Sequence, residues 1–374
     1  MKIAYFTHSL ASCWNHGNAH FQRGVLRELV RRGQEVAAYE PEGAWSLANL
    51  LKDHGESGLE PWRAAYPELA STAYRDPRAV AEEACADADL VIVHEWSDPV
   101  LVAEIGRRRA AGGRFRLLFH DTHHRVVSDP DAITAFDLSG YDGVLAFGET
   151  VAEVYRRWGW GERAFVWHEA ADITVFHPPA EPQPREGAVF VGNWGDGERA
   201  EELGTFLLDP ARTAGVGLDI YGVRYPAEAL AALKRRGARY HGWLPNVLAP
   251  EVFARHRMTV HVPRRFYVEL LPGVPTIRVF EALACGIPLI CAPWRDSEGL
   301  FRPGADYLVA PDGAAMAKAM RSLESDDQLC ADLARSGLET IRARHTCAHR
   351  VDELLDIAGR LGAPLARPSL EAAE

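Results

Sequence analysis

Short apolar runs alternate with stretches of helical spacing along most of the chain, and this alternation limits the fold more than any other feature of the sequence. Lys2–Thr7, Glu35–Tyr39, Leu90–His94, Phe115–His120, Gly143–Phe147 and Ala164–Trp167 read as strands of one unit. Ala188–Gly192, Leu218–Tyr221, Arg239–His241, Met258–Val262, Pro288–Ala292 and Tyr307–Val309 read as strands of another. Between them lie helical patterns, such as Phe21, Val25, Leu26 and Leu29 up to Gly33, while residues 43–87 read mostly as helices and loops. Strands alternating with helices imply right-handed βαβ crossovers and parallel, doubly wound sheets. The series breaks at PPAEPQPREG, 178–187, whose proline and charge suit a linker. The expected architecture is therefore α/β with two Rossmann-like domains, 1–178 and 179–345, then a helix at 346–362 and a tail at 363–374 expected to be disordered. At 374 residues the chain exceeds the roughly 250–300 at which single cores stop growing, which also asks for two domains.

With 41 basic and 52 acidic residues the net charge is −11, which argues against a nucleic-acid partner held by phosphate contacts and against adhesion to acidic membranes. Six cysteines are scattered without a Cys-x-x-Cys pair, and no secretory signal is read, so reduced thiols and a cytoplasmic location are expected. No apolar run approaches the roughly 20 residues of a membrane span, so no transmembrane segment is expected.

Residues 271–298, LPGVPTIRVFEALACGIPLICAPWRDSE, combine a loop, a helix start, an acidic residue, a small-residue turn and a buried strand. Pro275 and Thr276 suit the first turn of the helix, and Cys285 and Gly286 its stop. Arg278 and Glu281, three apart, share a helical face near an N-terminus whose free N–H groups favour anions, which suits a nucleotide diphosphate. FEALACGIPLICAP resembles the signature helix and strand of retaining GT-B glycosyltransferases of the family 4 (group 1) type, in particular the spore-maturation-like branch. Asp172-Ile-Thr-Val-Phe176-His-Pro178 resembles the crossover at the hinge of the same enzymes. The resemblance implies a GT-B fold, with parallel sheets facing across a cleft and a last helix that crosses back to the first domain. It also implies that Glu281 meets the ribose of a nucleotide sugar. The chain departs from the family at its usual first glutamate, where Gly273 stands.

Ligands of open α/β sheets gather beyond the carboxyl ends of the strands, so polar residues there are the site candidates. In the first domain these are Trp14, His16, Gly17 and Asn18 after the first strand, Glu95 after His94, and His120 and His123 in HDTHHR, all expected on the acceptor side. A neutral imidazole at a strand end suits proton handling near pH 7, and the resemblance places a catalytic or acceptor-positioning His at His120; a capped structural His is the alternative. The histidine-rich run invites a metal reading, but His-x-His and HExxH spacings are absent, and no metal site is expected. In the second domain Gly192, Asn193 and Arg199 match the diphosphate loop of the resembled family in place and type, and HGWLPN, with Gly242, resembles its base-side segment. Arg264 and Arg265 directly follow a strand and suit phosphate oxygens, or else pair with Glu269.

The reading is a hexosyltransferase-type enzyme that moves a sugar from a nucleotide diphosphate sugar to a hydroxyl of a sugar, small-molecule or glycan acceptor. Retention and metal independence are expected, with no cofactor beyond the co-substrate. His120, Arg199, Arg264 and Arg265 are its catalytic candidates; Gly192, Asn193, Gly242, Gly273, Thr276, Arg278 and Glu281 are its donor contacts. The alternatives are a non-hydrolysing sugar-nucleotide epimerase of the same fold and a noncatalytic nucleotide-sugar binding protein.

Overall fold

In the computed structural model, which describes residues 1–181, 183–195 and 197–364, the chain forms two parallel sheets. The first contains β1 (Lys2–Phe6), β2 (Glu35–Pro41), β3 (Ser71–Tyr74), β4 (Leu90–His94), β5 (Arg116–Asp121), β6 (Gly143–Ala146) and β7 (Ala164–Val166), in the order β3-β2-β1-β4-β5-β6-β7. The second contains β8 (Ala188–Val191), β9 (Leu218–Tyr221), β10 (Arg239–Tyr240), β11 (Met258–His261), β12 (Leu289–Cys291) and β13 (Leu308–Val309), in the order β10-β9-β8-β11-β12-β13. Both sheets reverse direction of growth beside their first strand: β1 pairs with β2 and β4, and β8 with β9 and β11. Such a switch point leaves a crevice at the strands' carboxyl ends, so the loops after β1 and β8 are where a ligand is received.

β4, β6, β11 and β12 are buried along their whole length, as in sheets covered on both faces, and this is why they stand out as continuous apolar runs. β3 does not. Its sequence Ser-Thr-Ala-Tyr lies at the sheet edge and buries only Tyr74 fully, so the expectation of helices and loops at 43–87 omits this strand.

Helix α1 (Ala19–Arg31) turns Phe21, Val25, Leu26 and Leu29 inward and ends before Gly33, whose φ of +74° lies in the left-handed region. Helix α2 (Ile277–Ala284) starts later than expected: Thr276 has extended backbone (φ −84°, ψ 159°) and stands at the N-cap, so Pro275 and Thr276 precede the first turn. Helix α3 (Cys347–Arg360) opens with a capping box in which the Thr346 hydroxyl accepts from His349 N and the His349 ring accepts from Thr346 N. It lies on the first domain. Arg32 pairs with Asp352 and donates to Ala348 O at 3.0 Å, and Trp167 Nε1 donates to Arg350 O at 2.8 Å.

One apolar core runs from Tyr5, Phe21 and Trp167 through Phe176, Val351 and Leu354 to Phe280, Leu283 and Phe301. The connection at Ala170, Ala171 and Phe176 is thus fully packed, and burying a side chain such as Phe176 contributes about 1.5–3 kcal/mol. This shared core joins the two walls of the cleft. The expected tail falls largely on residues 365–374, which lie outside the described residues.

Candidate active site

The carboxyl ends of the two sheets open onto one cleft of about 520 Å³. Its first-domain wall is made by Cys13, Asn15, His16, Gly17 and Asn18 from the loop after β1, by Trp45, by Trp96 after β4, by Thr122 and His123 after β5, and by Glu169 after β7. Thr122 Oγ1 gathers this wall. It bonds His94 Nε2 at 2.9 Å, reaches Glu95 Oε1 at 3.3 Å and receives the Asn18 side-chain amide. Asn18 therefore spends its side chain on the site rather than on capping α1. Gly17 abuts the second domain closely enough that a Cβ there would meet Ile277 Cγ2 at 3.4 Å.

Burial controls the charge of this wall. It pushes His123 down to about 2 and His16 well below its ordinary value, so both imidazoles are neutral. Glu95 is fully buried, paired with Arg125 and pushed up to about 8 by burial and by Asp121. Arg125 in turn lies 4.0 Å under the Trp96 ring, which presents its other contacts to His123 at 5.3 Å between ring centres.

The second-domain wall is cationic: Gly192, Asn193 and Arg199 after β8, Gly222, Val223 and Arg224 after β9, Trp243 and Leu244 after β10, then Arg264, Tyr267, Thr276, Ile277 and Arg278. A Cβ at Gly222 would sit 2.0 Å from Gly192 O, so only glycine lets these two loops close on each other. The Arg199 guanidinium donates to Val262 O (3.0 Å), Asn193 O (2.7 Å) and Asn193 Oδ1 (2.8 Å), which ties the loop after β8 to the end of β11. Burial and the neighbouring Arg264 lower it only to about 10, so it stays charged. Its Nε has no hydrogen-bond partner. Thr276 Oγ1 bonds His261 Nε2 at 3.0 Å, and burial with Arg199 and Arg278 pushes that imidazole to about 3, so it too is neutral.

Of the residues expected from sequence, His16, Gly17, Asn18, His123, Gly192, Asn193, Arg199, Arg264, Thr276 and Arg278 come together on this cleft. Others do not line it. His120 is completely buried beneath the floor, its Nδ1 3.0 Å from Tyr5 Oη and its ring against Trp167, and burial pushes it to about 3. Trp14 donates through Nε1 to Asp53 at 3.0 Å away from the lining, and Glu95 stands behind Thr122. Arg264 pairs with Glu198 at 2.8 Å and Arg265 with Glu202 at 3.0 Å; Glu269 is neither one's partner in these pairs, and Arg265 lies outside the lining. Gly242 sits behind Trp243, its carbonyl accepting from Gly222 N at 2.7 Å. Gly273, at φ +92°, is backed by Ser297 and Glu298.

Glu281 is also completely buried. It accepts from Asn246 Nδ2 at 3.0 Å, pairs with Arg278, and bonds His20 Nδ1 at 2.9 Å. His20 Nε2 accepts from Asp172 N at 2.9 Å, so the proton facing Glu281 belongs on Nδ1. Burial pushes the Glu281 carboxyl up, but Arg278 and the hydrogen bond from His20 outweigh it and hold Glu281 below the ordinary carboxylate range. Glu281 thereby fixes Arg278 at the cleft edge and ties α1 to α2.

Trp45, Arg224, Tyr267 and Glu169 line the cleft without having been candidates from sequence, and Trp243 comes from the HGWLPN segment. Glu169 stands just after β7, where the strand-end rule applies, three residues before the hinge motif that begins at Asp172. Among the described residues no group of three His, Cys, Asp or Glu is placed to hold a metal ion. No helix among them is long and apolar enough to cross a membrane.

Residues 199–356 match a family model described as Glycosyl transferase-like. Three solved structures resemble the chain over 96% of its length and 99% of their own. They are an alpha-glucosyltransferase in complex with UDP and a 13-mer DNA containing a HMU base (12% identity, TM-score 0.69), a sucrose-phosphate synthase from Thermosynechococcus elongatus (15%, 0.66), and T4 phage BGT in complex with its UDP-glucose substrate (12%, 0.59). No curated protein sequence matches at a significant level. At such identities the likeness speaks for the fold, which is GT-B: two Rossmann-like units with parallel sheets facing across a cleft. The stretch that matches the glycosyl transferase-like model, residues 199–356, makes up most of the second of these units.

Proposed function

We propose that the enzyme transfers a hexosyl group from a nucleotide diphosphate sugar to a hydroxyl of a sugar, small-molecule or glycan acceptor, with retention of configuration and without a metal. One observation carries the reading: Arg199, Arg224, Arg264 and Arg278 all stand on the second-domain wall, beside the N-terminus of α2, while no Lys or Arg stands on the first-domain wall among the lining residues. A diphosphate belongs against the first surface and an uncharged acceptor against the second.

In the transfer the bond between the sugar C1 and the diphosphate oxygen breaks and its electron pair leaves with the diphosphate. The acceptor oxygen bonds to C1, and its proton passes to the departing phosphate. The arginines and the α2 N-terminus meet the charge that develops there, with no reorganisation at the moment of reaction. Asn193 and the loop after β8 cradle the diphosphate, and Trp243 and Leu244 flank the base. Glu281 serves the donor through Arg278. His120, fully buried, touches no substrate and is at most a positioning residue, acting through its neighbour His94 and so on Thr122. Retention is supported by the resemblance of the stretch from Phe280 to Pro293, and the acidic net charge supports a non-nucleic acceptor.

Incubation with radiolabelled UDP-, GDP-, ADP- and dTDP-hexoses, with and without EDTA, tests the proposal. The expected result is released nucleotide and an α-linked product from an α-donor, unchanged by EDTA. An epimerised donor, binding without turnover, or label found only in an added oligonucleotide would each overturn a stated part of it.

A further inference from the structure

Glu169 is the one acidic residue among the described residues that line the cleft. It is 3% exposed, and its Oε1 has no hydrogen-bond partner. A buried carboxyl left in this way costs free energy unless something not belonging to the chain completes it. Its backbone cannot relax to help. Trp167 N donates to Ala146 O at 2.7 Å, His168 Nε2 bonds Glu298 Oε2 at 2.8 Å, and Ala171 N donates to His345 O at 2.9 Å. The segment that carries Glu169 is thus pinned on both sides of it.

Three classes of group are available to fill the gap, and charge chooses among them. A phosphate is drawn to the arginine wall and would be repelled by Glu169 in its carboxylate form. Arg278 is the nearby cation, but it is already paired with Glu281. What fits is a neutral hydrogen-bond donor. On the reading given above, the diphosphate lies along the arginine wall and the acceptor along the aromatic wall, and the transferred sugar, rich in hydroxyl groups, lies between them, where Glu169 and Arg278 meet.

We propose that Glu169 receives a hydroxyl of the transferred sugar and so makes the cleft prefer a nucleotide sugar over the bare nucleotide; this rests on the proposed function. Burial and the nearby Glu281 push the carboxyl up to about 8, so in the empty cleft near neutral pH it holds a proton. A donated hydroxyl hydrogen bond favours the carboxylate, and binding of the sugar nucleotide therefore releases a proton that binding of the nucleotide alone does not.

The test is calorimetry with UDP, GDP, ADP and dTDP, each alone and as its hexose conjugates, in two buffers of different ionisation enthalpy. Wild type is expected to bind one conjugate more tightly than its nucleotide, with proton release. Glu169→Gln and Glu169→Ala should keep the nucleotide affinity and lose about 10- to 100-fold for the conjugate, with the proton release abolished. The ligand-free Glu169→Gln protein should melt higher than wild type near neutral pH, because an amide has no carboxylate to be protonated on folding. A wild type that prefers no conjugate overturns the proposed function itself. A preference that survives in both variants, or variants that weaken nucleotide and conjugate alike or melt lower, overturn the role of Glu169 and leave the proposed function standing.

Discussion

The two walls of the cleft handle burial in opposite ways. On the first-domain side burial favours the neutral forms: His16 and His123 lose their protons, while Glu169, and Glu95 behind Thr122, are pushed up to about 8 and hold theirs. On the second-domain wall Arg199 is half-buried and also desolvated, yet it falls only to about 10, because a guanidinium does not give up its charge near neutral pH. The same desolvation thus yields a neutral surface and a cationic one, and the difference lies in residue type rather than exposure. It gives the cleft one neutral and one cationic wall without any large net positive charge, in a chain whose net charge is −11.

The most forceful way to break the comparison is to remove the cations. Arg199→Ala and Arg278→Ala are each expected to lower turnover by about 10²–10³-fold, the scale for losing one preorganised donor at a developing anion. Arg199 also ties the loop after β8 to the end of β11, so its melting temperature will fall as well, whereas that of Arg278→Ala should fall less. Arg265→Ala is the internal control. Its side chain is directed to Glu202 and should be nearly silent in kcat. Initial-rate kinetics on the three variants decide the point, and an Arg265 effect as large as that of Arg199 would erase the distinction between lining and non-lining arginines.

That control shows how far the sequence can be read. Arg264 and Arg265 are adjacent after a strand and look interchangeable, but a helix begins at Arg265 and successive residues on a helix diverge, so one reaches the cleft and the other does not. A similar step separates His120 from His123: β5 runs to Asp121, so His120 is still inside the sheet, and the residues that reach the cleft lie beyond its end. Most strands and their parallel, doubly wound arrangement were legible, because doubly covered strands are continuous apolar runs. The edge strand β3 was not, having almost no apolar signal. Glu281 stands out in the sequence as a carboxylate on a largely apolar helix, yet its partners His20, Asn246 and Arg278 come from three separate places, and only folding shows that it is already saturated.

A smaller effect is expected on the aromatic side. Trp96→Ala removes a ring that lies over Arg125 and borders the cleft, and it should raise the acceptor KM about tenfold, the scale of an aromatic contact of ~1–1.5 kcal/mol, while sparing nucleotide affinity. Calorimetry with the best nucleotide, beside kinetics at varied acceptor, separates the two. Loss of nucleotide affinity would show that the donor spans both walls.

The finest distinction lies in how stability depends on pH. His16, His94, His120 and His123 are all held below their ordinary value by burial, so the unfolded chain binds protons more readily than the folded one. Their contribution is fully present above about pH 6.5 and is lost as pH falls below it. Glu95 and Glu169 act with the opposite sign. Their folded values near 8 exceed the unfolded ones, so the folded chain binds more protons between about pH 4.5 and 8 and loses stability as pH rises through that window. On the second wall the arginines do not titrate in this range, and His261, held at about 3 by burial, adds to the acid flank. Melting temperature should therefore peak on the slightly acid side of neutral and fall by a few degrees on both flanks, at roughly 2–4 °C per kcal/mol. Glu169→Gln should flatten the alkaline flank alone, with its gain over wild type growing from pH 5 to 8. His123→Asn should soften the acid flank alone. A variant that shifts both flanks equally would mean that the two sets of groups titrate as one network, and the first wall could no longer be treated as independent neutral sites.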